Sequence, residues 1–134
     1  MRGFVLFLLL CFVSPAMAET CCKKIDCKIC VYELRVIELC NVEREKRGLH
    51  PLKRLADLVT ACRKHSAAQR ARRSMHHGSL AGCSAENVAV GQELPEQVVR
   101  AWMNSSGHRA NILSRRWQCI GYGRAGKYHT QQFK

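Results

Sequence analysis

The chain has 134 residues, 47% hydrophobic and 24% charged, and its 22 basic side chains against 10 acidic ones give a net charge of +12. The length fits one domain, and the composition excludes a disordered or collagen-like chain. Nine cysteines also point away from a reducing compartment.

In chain order, residues 1–18 read as a secretory signal peptide. Arg2 gives the positive start, residues 4–13 form an apolar run, and Ala16-Met17-Ala18 supplies a small-x-small cleavage site. A bilayer span needs about 20 apolar residues, and Pro15 interrupts this stretch, which argues against a retained anchor. Removing the segment takes Arg2 with it, lowers the charge from +12 to +11, and leaves cysteines 21, 22, 27, 30, 40, 62, 83 and 119. An even number on an oxidising route is read as four disulfides, whose pairing the sequence does not choose. The competing metal reading of Cys22, Cys27 and Cys30 has a spacing that matches no common zinc module. Residues 19–30 form a cysteine-rich arm without apolar periodicity, and the domain proper is expected over 31–134.

A helix is predicted over 31–47, with Val31, Leu34, Ile37 and Val42 on its apolar side and Glu33, Arg35, Glu38, Glu43, Glu45 and Lys46 opposite. Gly48 stops it and Pro51 follows as a breaker. A second helix over 53–73 carries Leu55, Leu58, Val59 and Cys62 in one stripe, with His65 at the edge of that stripe. Gly78 and Gly82 bracket a loop, and Asn87 to Val90 suits a strand. Pro95 fits the first position of a third helix, with Glu96 in its first turn and Val98, Val99 and Trp102 on its core face. Ser105-Ser106-Gly107 end it, and a helical turn covers 108–113. Residues 117–124 and 127–133, joined by Ala125-Gly126, form a β-hairpin. The prediction is an α+β domain, disulfide-stapled, in which helices cover a small antiparallel sheet.

Four ordered segments carry a resemblance: Asn41 to Leu49 with Pro51-Leu52, His65-Ser66, Ala85-Glu86-Asn87-Val88-Ala89, and Trp102 to Leu113 (WMNSSGHRANIL). They resemble the CAP superfamily of cysteine-rich secretory, antigen 5 and pathogenesis-related proteins, in its compact SCP-like form. Ile120-Gly121-Tyr122-Gly123 and Tyr128 to Phe133 match its two closing strands. The resemblance implies an α-β-α sandwich with a cleft lined, in larger members, by two histidines and two acids. Carried over by motif, the cleft residues are His65, Glu86 and His108, and Ser105 stands where larger members have the second acid. Ala85 replaces the glycine that commonly precedes the Glu-Asn pair, and the segment between His77 and Glu86 is short.

The chemistry of those residue types is consistent with a cleft. Two imidazoles and a carboxylate can hold Zn²⁺ with an open position for water, which makes His65, His108 and Glu86 the candidate metal ligands. A histidine at the start of a helical turn is kept neutral by the helix dipole, as expected for His108. The structural alternative has His65 capping the core edge and His108 bonded to a backbone carbonyl. Ser105, His108 and Glu86 could be drawn as a hydrolytic triad, but no nucleophile-elbow pattern surrounds the serine. His76 and His77 read as solvated or structural, with His77 alone having a counterpart in the resemblance. His129 is expected to face outward from the last strand, Trp102 to lie in the core, and Asn41 and Asn111 to satisfy buried backbone groups.

Arg63, Lys64, Arg70, Arg72 and Arg73 cluster on and after the second helix, and Arg115-Arg116 follow the third. Such a field attracts anionic surfaces, among them microbial membranes and polysaccharides; the alternative is a solvated face. Nucleic acid is not expected, since no reading motif or aromatic platform is present. The expectation is therefore a secreted binding protein for a lipid or sterol, a cell-wall glycan or a protein partner, acting through the His/Glu cleft and the basic surface. No catalytic set is complete and no cofactor is required, Zn²⁺ being the one the cleft residues would accept. The alternatives are a metal-assisted hydrolase using His65, Glu86 and His108, and a cationic protein that perturbs membranes.

Overall fold

The structure, a computed structural model, describes residues 30–134. The segment read as a signal peptide and the arm up to residue 29 lie outside the described residues.

Helix α1 (Val31–Glu45) buries Tyr32, Glu33, Val36, Ile37, Cys40 and Arg44. The expected stripe is thus rotated: Val31, Leu34 and Val42 are 36–43% exposed. Tyr32, Val36 and Cys40 recur at the helical spacing of four, and Arg44 continues that row into the core. Its guanidinium donates to the carbonyls of His50 (2.9 Å), Ile112 (2.8 Å) and Ser114 (2.7 Å), so a charged side chain fastens two distant segments to α1. Gly48 ends the turn at φ +66°, the left-handed conformation glycine accepts. Asn41 then bridges to Leu52, donating to its carbonyl (3.1 Å) and accepting from its N–H (2.8 Å), as expected.

Strand β1 (Lys53–Arg54) takes the residues expected to open the second helix. It pairs parallel with Cys119 and Ile120, and α2 (Ala56–Arg72) starts after it. Strand β2 (Ala85–Val90), α3 (Pro95–Asn104), α4 (Ser106–Leu113), β3 (Cys119–Ala125) and β4 (Tyr128–Phe133) follow. The sheet order is β1-β3-β4-β2, antiparallel except for the β1–β3 pair, so the sheet is mixed rather than the antiparallel one expected.

Helix α2 covers one face, and α1, α3 and α4 cover the other. On the α1 side the core is aromatic. Trp102 is buried, donates from Nε1 to the Val88 carbonyl (3.2 Å), and packs edge-on to Tyr122. On the α2 side, β3 presents glycine. A Cβ at Gly121 would lie 2.3 Å from Leu58 Cβ, and one at Gly123 would lie 2.3 Å from the Arg63 backbone nitrogen, so only bare backbone lets α2 sit this close. Polar groups lock the contact: the Ser66 hydroxyl bonds the Gly123 carbonyl (3.0 Å) and the Thr130 hydroxyl (2.8 Å), and Gln69 Nε2 donates to the same Thr130 oxygen (3.0 Å).

Two expectations are corrected here. His129 does not face outward; it is fully buried on the α1 side, with Nδ1 2.7 Å from the Tyr122 hydroxyl and Nε2 2.9 Å from the Gln92 carbonyl. Burial lowers its pKa to about 4. Nor is the domain stapled by four disulfides: among the described residues Cys40, Cys62, Cys83 and Cys119 are free thiols. Cys40 on α1 and Cys62 on α2 are both buried, with the sheet between them. The Cys40 sulfur accepts from Gln131 Nε2 (3.1 Å), and burial pushes its thiol up to about 12, a packed and unreactive state. Cys21, Cys22 and Cys27 lie outside the described residues.

Candidate functional site

Glu86 lies on β2, the sheet edge opposite β1, and its side chain is 1% exposed. Its two oxygens are fully engaged. Oε1 accepts from the Gly78 N–H (2.8 Å) and lies 3.1 Å from His77 Nδ1, while Oε2 accepts from Gln132 Nε2 (2.9 Å). Gln132 is the β4 residue registered against Glu86, so sheet pairing delivers one donor and the 73–84 connection delivers the other two. Three donors around one buried carboxylate fix its position and orientation.

His65 approaches from α2. Its Nε2 lies 2.9 Å from the His76 carbonyl, which can only accept, so Nε2 carries the proton. A Cβ at Gly78 would lie 3.0 Å from the His65 ring and 3.3 Å from Glu86 Oε2. His65 and Glu86 therefore face each other across the Gly78 backbone, and glycine is the residue that fits there. The His65 and His76 rings meet edge-on at 5.1 Å.

His108 enters from the opposite layer. Helix α4 begins at Ser106, which puts His108 within the first turn, two residues in from its start. Its pKa is lowered, first by burial and then by the His77 imidazole; these two causes stand where the helix dipole is expected from the sequence. Its backbone is held by Asn87, whose Nδ2 donates to the His108 carbonyl (3.2 Å). Asn111 in turn donates to Asn87 Oδ1 (2.9 Å) and the Glu86 carbonyl (3.4 Å), so α4 is tied to β2 beside the carboxylate.

The sequence singles out His65, Glu86 and His108; the structure joins Glu86 directly to His77, brings His108 within electrostatic reach of His77, and leaves His65 behind Gly78. His77, read as a loop histidine, is the residue sequence reasoning misses. The usable signal is its pairing with Gly78, whose N–H and bare Cα both serve Glu86. Among the described residues, no group of three His, Cys, Asp or Glu side chains is placed to hold a metal ion. The Ser105 hydroxyl makes no hydrogen bond to His108 among the described residues, so the drawn triad is not assembled. What the arrangement offers is a recessed carboxylate bonded to the exposed His77 imidazole, with His65 across the Gly78 backbone, at the edge of the sheet.

A three-layer domain with a carboxylate and histidines at the β2 edge defines a class, and the comparison with known proteins agrees. The model of the cysteine-rich secretory protein family, CAP, matches residues 37–133, and the chain belongs to that family. It is 36% identical over 139 residues to the uncharacterized protein YkwD of Bacillus subtilis (strain 168), covering 90% of this chain and 54% of that one. The chain thus spans about half the length of that relative. Its fold is similar to that of an extracellular SCP-domain protein from Bacillus anthracis (TM-score 0.73, 24% identity, 76% of this chain and 39% of the other). It is also similar to an outer surface protein from Borrelia burgdorferi (TM-score 0.64, 20% identity, 74% of this chain and 89% of the other). Among the described residues no helix is long and apolar enough to cross a membrane.

Proposed function

We propose that this CAP-domain protein is exported and acts by binding, its cleft recognising the polar part of a lipid, sterol or cell-wall glycan, or a partner protein. Export rests on the signal-like residues 1–18 and on likeness to an extracellular SCP-domain protein. On that route the arm cysteines, with the half-buried Cys83 and Cys119, are the ones left for bridges, because Cys40 and Cys62 are sealed in the core.

The observation that carries the binding reading is Glu86: a buried carboxylate satisfied by three donors, one of them the exposed His77, whose imidazole in turn acts electrostatically on the half-buried His108. A group so fully bonded is a fixed anchor for the segment that carries His77, while the half-buried imidazole of His108 can donate or accept toward a ligand hydroxyl. The test is co-sedimentation of the folded chain with peptidoglycan and with phospholipid and sterol vesicles, repeated with Glu86→Gln plus His108→Ala. Retention on one of these, reduced at least tenfold in the variant, supports the cleft. No retention on any of them overturns the reading. A calorimetric Zn²⁺ titration decides the hydrolase alternative: a tight site that vanishes on replacing His77 and His108 by alanine would favour it, with His65→Ala showing whether the third histidine takes part.

A further inference from the structure

Exposed charge in this domain is sorted by layer. The described acids are Glu33, Glu38, Glu43 and Glu45 on α1, Asp57 at the start of α2, the buried Glu86, and Glu93 and Glu96 around the start of α3. The stretches 58–85 and 97–134 contain no acid at all. On α1, cations are answered locally: Arg35 pairs with Glu38 and Glu96, and Lys46 and Arg47 both pair with Glu43.

The end of α2 is different. Arg70, Arg72 and Arg73 are exposed and form no ion pair among the described residues. Arg70 lies over the β3–β4 turn, 3.6 Å from where a Cβ of Gly126 would stand, and the next residue, Lys127, is also exposed. The Gly91 N–H donates to the Lys127 carbonyl (3.0 Å), which brings the end of β2 to the same place. Two apolar side chains are exposed there: Met75, 49% exposed just after the left-handed Arg73 (φ +51°), and Val90, 40% exposed and registered against Tyr128. One end of the sandwich therefore presents four unopposed cations with two apolar side chains among them.

We propose that this end docks the domain onto an anionic lipid bilayer, with Arg70, Arg72, Arg73 and Lys127 at the headgroups and Met75 and Val90 entering the interface. The four cations each contribute roughly 1 kcal/mol near an anionic leaflet, falling off within a Debye length. Any polyanion would satisfy those charges. A bilayer alone also takes the apolar pair out of water, and that pair decides the choice of partner. The proposal goes beyond the cleft reading and stands without it, although the segment after Arg73 also carries His77 and would bring the cleft close to the membrane.

The experiment is vesicle sedimentation with the full chain at several salt concentrations, comparing phosphatidylcholine with phosphatidylcholine–phosphatidylglycerol mixtures, alongside heparin binding. Binding is expected only to the anionic vesicles. It should weaken about 100-fold in Arg70→Gln, Arg72→Gln, Lys127→Gln, and less than threefold in the equally charged control Lys53→Gln, Arg100→Gln, Arg115→Gln. Met75→Ser with Val90→Thr should weaken vesicle binding several-fold and leave heparin binding unchanged. Equal losses in the two charge variants, or no effect of the apolar pair on vesicles, would overturn the proposal. So would failure of the unaltered chain to bind anionic vesicles, and if its cleft still retained a ligand, that failure would fall on this surface alone. Circular dichroism of each variant shows that the fold is intact.

Discussion

The two faces of the sheet solve the same packing problem by opposite means. Toward α1 the space is filled by large rings, Trp102, Tyr122, Phe133 and Trp117, against an amphipathic helix. Toward α2 the space is removed, because Gly121 and Gly123 let helix backbone settle onto strand backbone and a few polar side chains fix the register. The first face is held by apolar volume and the second by close approach. The site belongs with the second: Glu86 and Gln132 share the α2 side with Thr130, and their geometry depends on how tightly that helix sits.

Substitutions of opposite sense should expose this difference. Trp102→Ala on the filled face opens a cavity and removes an indole donor, and is expected to cost about 4 kcal/mol in chemical denaturation. Gly123→Ala on the close-packed face adds only a methyl group, yet that methyl meets the Arg63 backbone at 2.3 Å, where no rotamer can relieve it. A loss of about 3 kcal/mol is expected. Gly107→Ala on α4, where nothing lies within 4 Å of the added carbon, should stay within about 0.5 kcal/mol. A Gly123→Ala variant as stable as the parent would mean that α2 is not seated on bare strand.

The filled face also contains a titratable group. His129 has Tyr122, Tyr32, the Gln92 carbonyl and the Arg124 guanidinium around it and, among the described residues, no carboxylate acting on it. Its folded pKa, near 4, lies below the ordinary 6.5. The stabilising difference is complete above pH 6.5, where neither state is protonated. As pH falls, the unfolded chain takes the proton first, so stability should decline between about 6.5 and 4 and then level. The total is about 3 kcal/mol. Stability measured across that range in His129→Gln, which keeps a side chain able to bond Tyr122 and Gln92, should lose most of that slope.

What the sequence makes legible follows the same division. Helix α3 is readable because Pro95, Glu96 and the Val98-Val99-Trp102 spacing are local signals, and the structure adds Gln97 capping the N–H groups of Glu93 and Leu94. The hairpin and the placement of Asn41 are likewise local. The burial of Arg44 and His129 is not legible, since partners more than 30 residues away decide both; period-two alternation alone gives His129 a face without saying which face is covered. Sequence favours His65 over His77 because His-Ser carries the resemblance, whereas the merit of His77 lies in a hydrogen bond made only when the chain after α2 folds back on Glu86. The resemblance is carried most by the long Trp102–Leu113 segment, in which Trp102 packs the core and Asn111 ties α4 to β2.

The smallest effect expected is at the exposed corner where α1 meets α3. Arg35 donates to Glu96 at 3.1 Å and to Glu38 at 2.9 Å, with all three side chains 44–62% exposed. Such pairs are screened by water and salt, and each must immobilise long side chains, so their contribution is usually below about 1 kcal/mol. Glu96→Gln removes one pair and weakens the favourable charge in the first turn of α3, while Gln97 and Pro95 still define the helix start. The expected loss is about 0.5 kcal/mol, disappearing by about 1 M salt, where the Debye length falls to about 3 Å. A loss that survives high salt would show that Glu96 acts through packing between α1 and α3, and the filled face would then extend further toward solvent than its aromatic core.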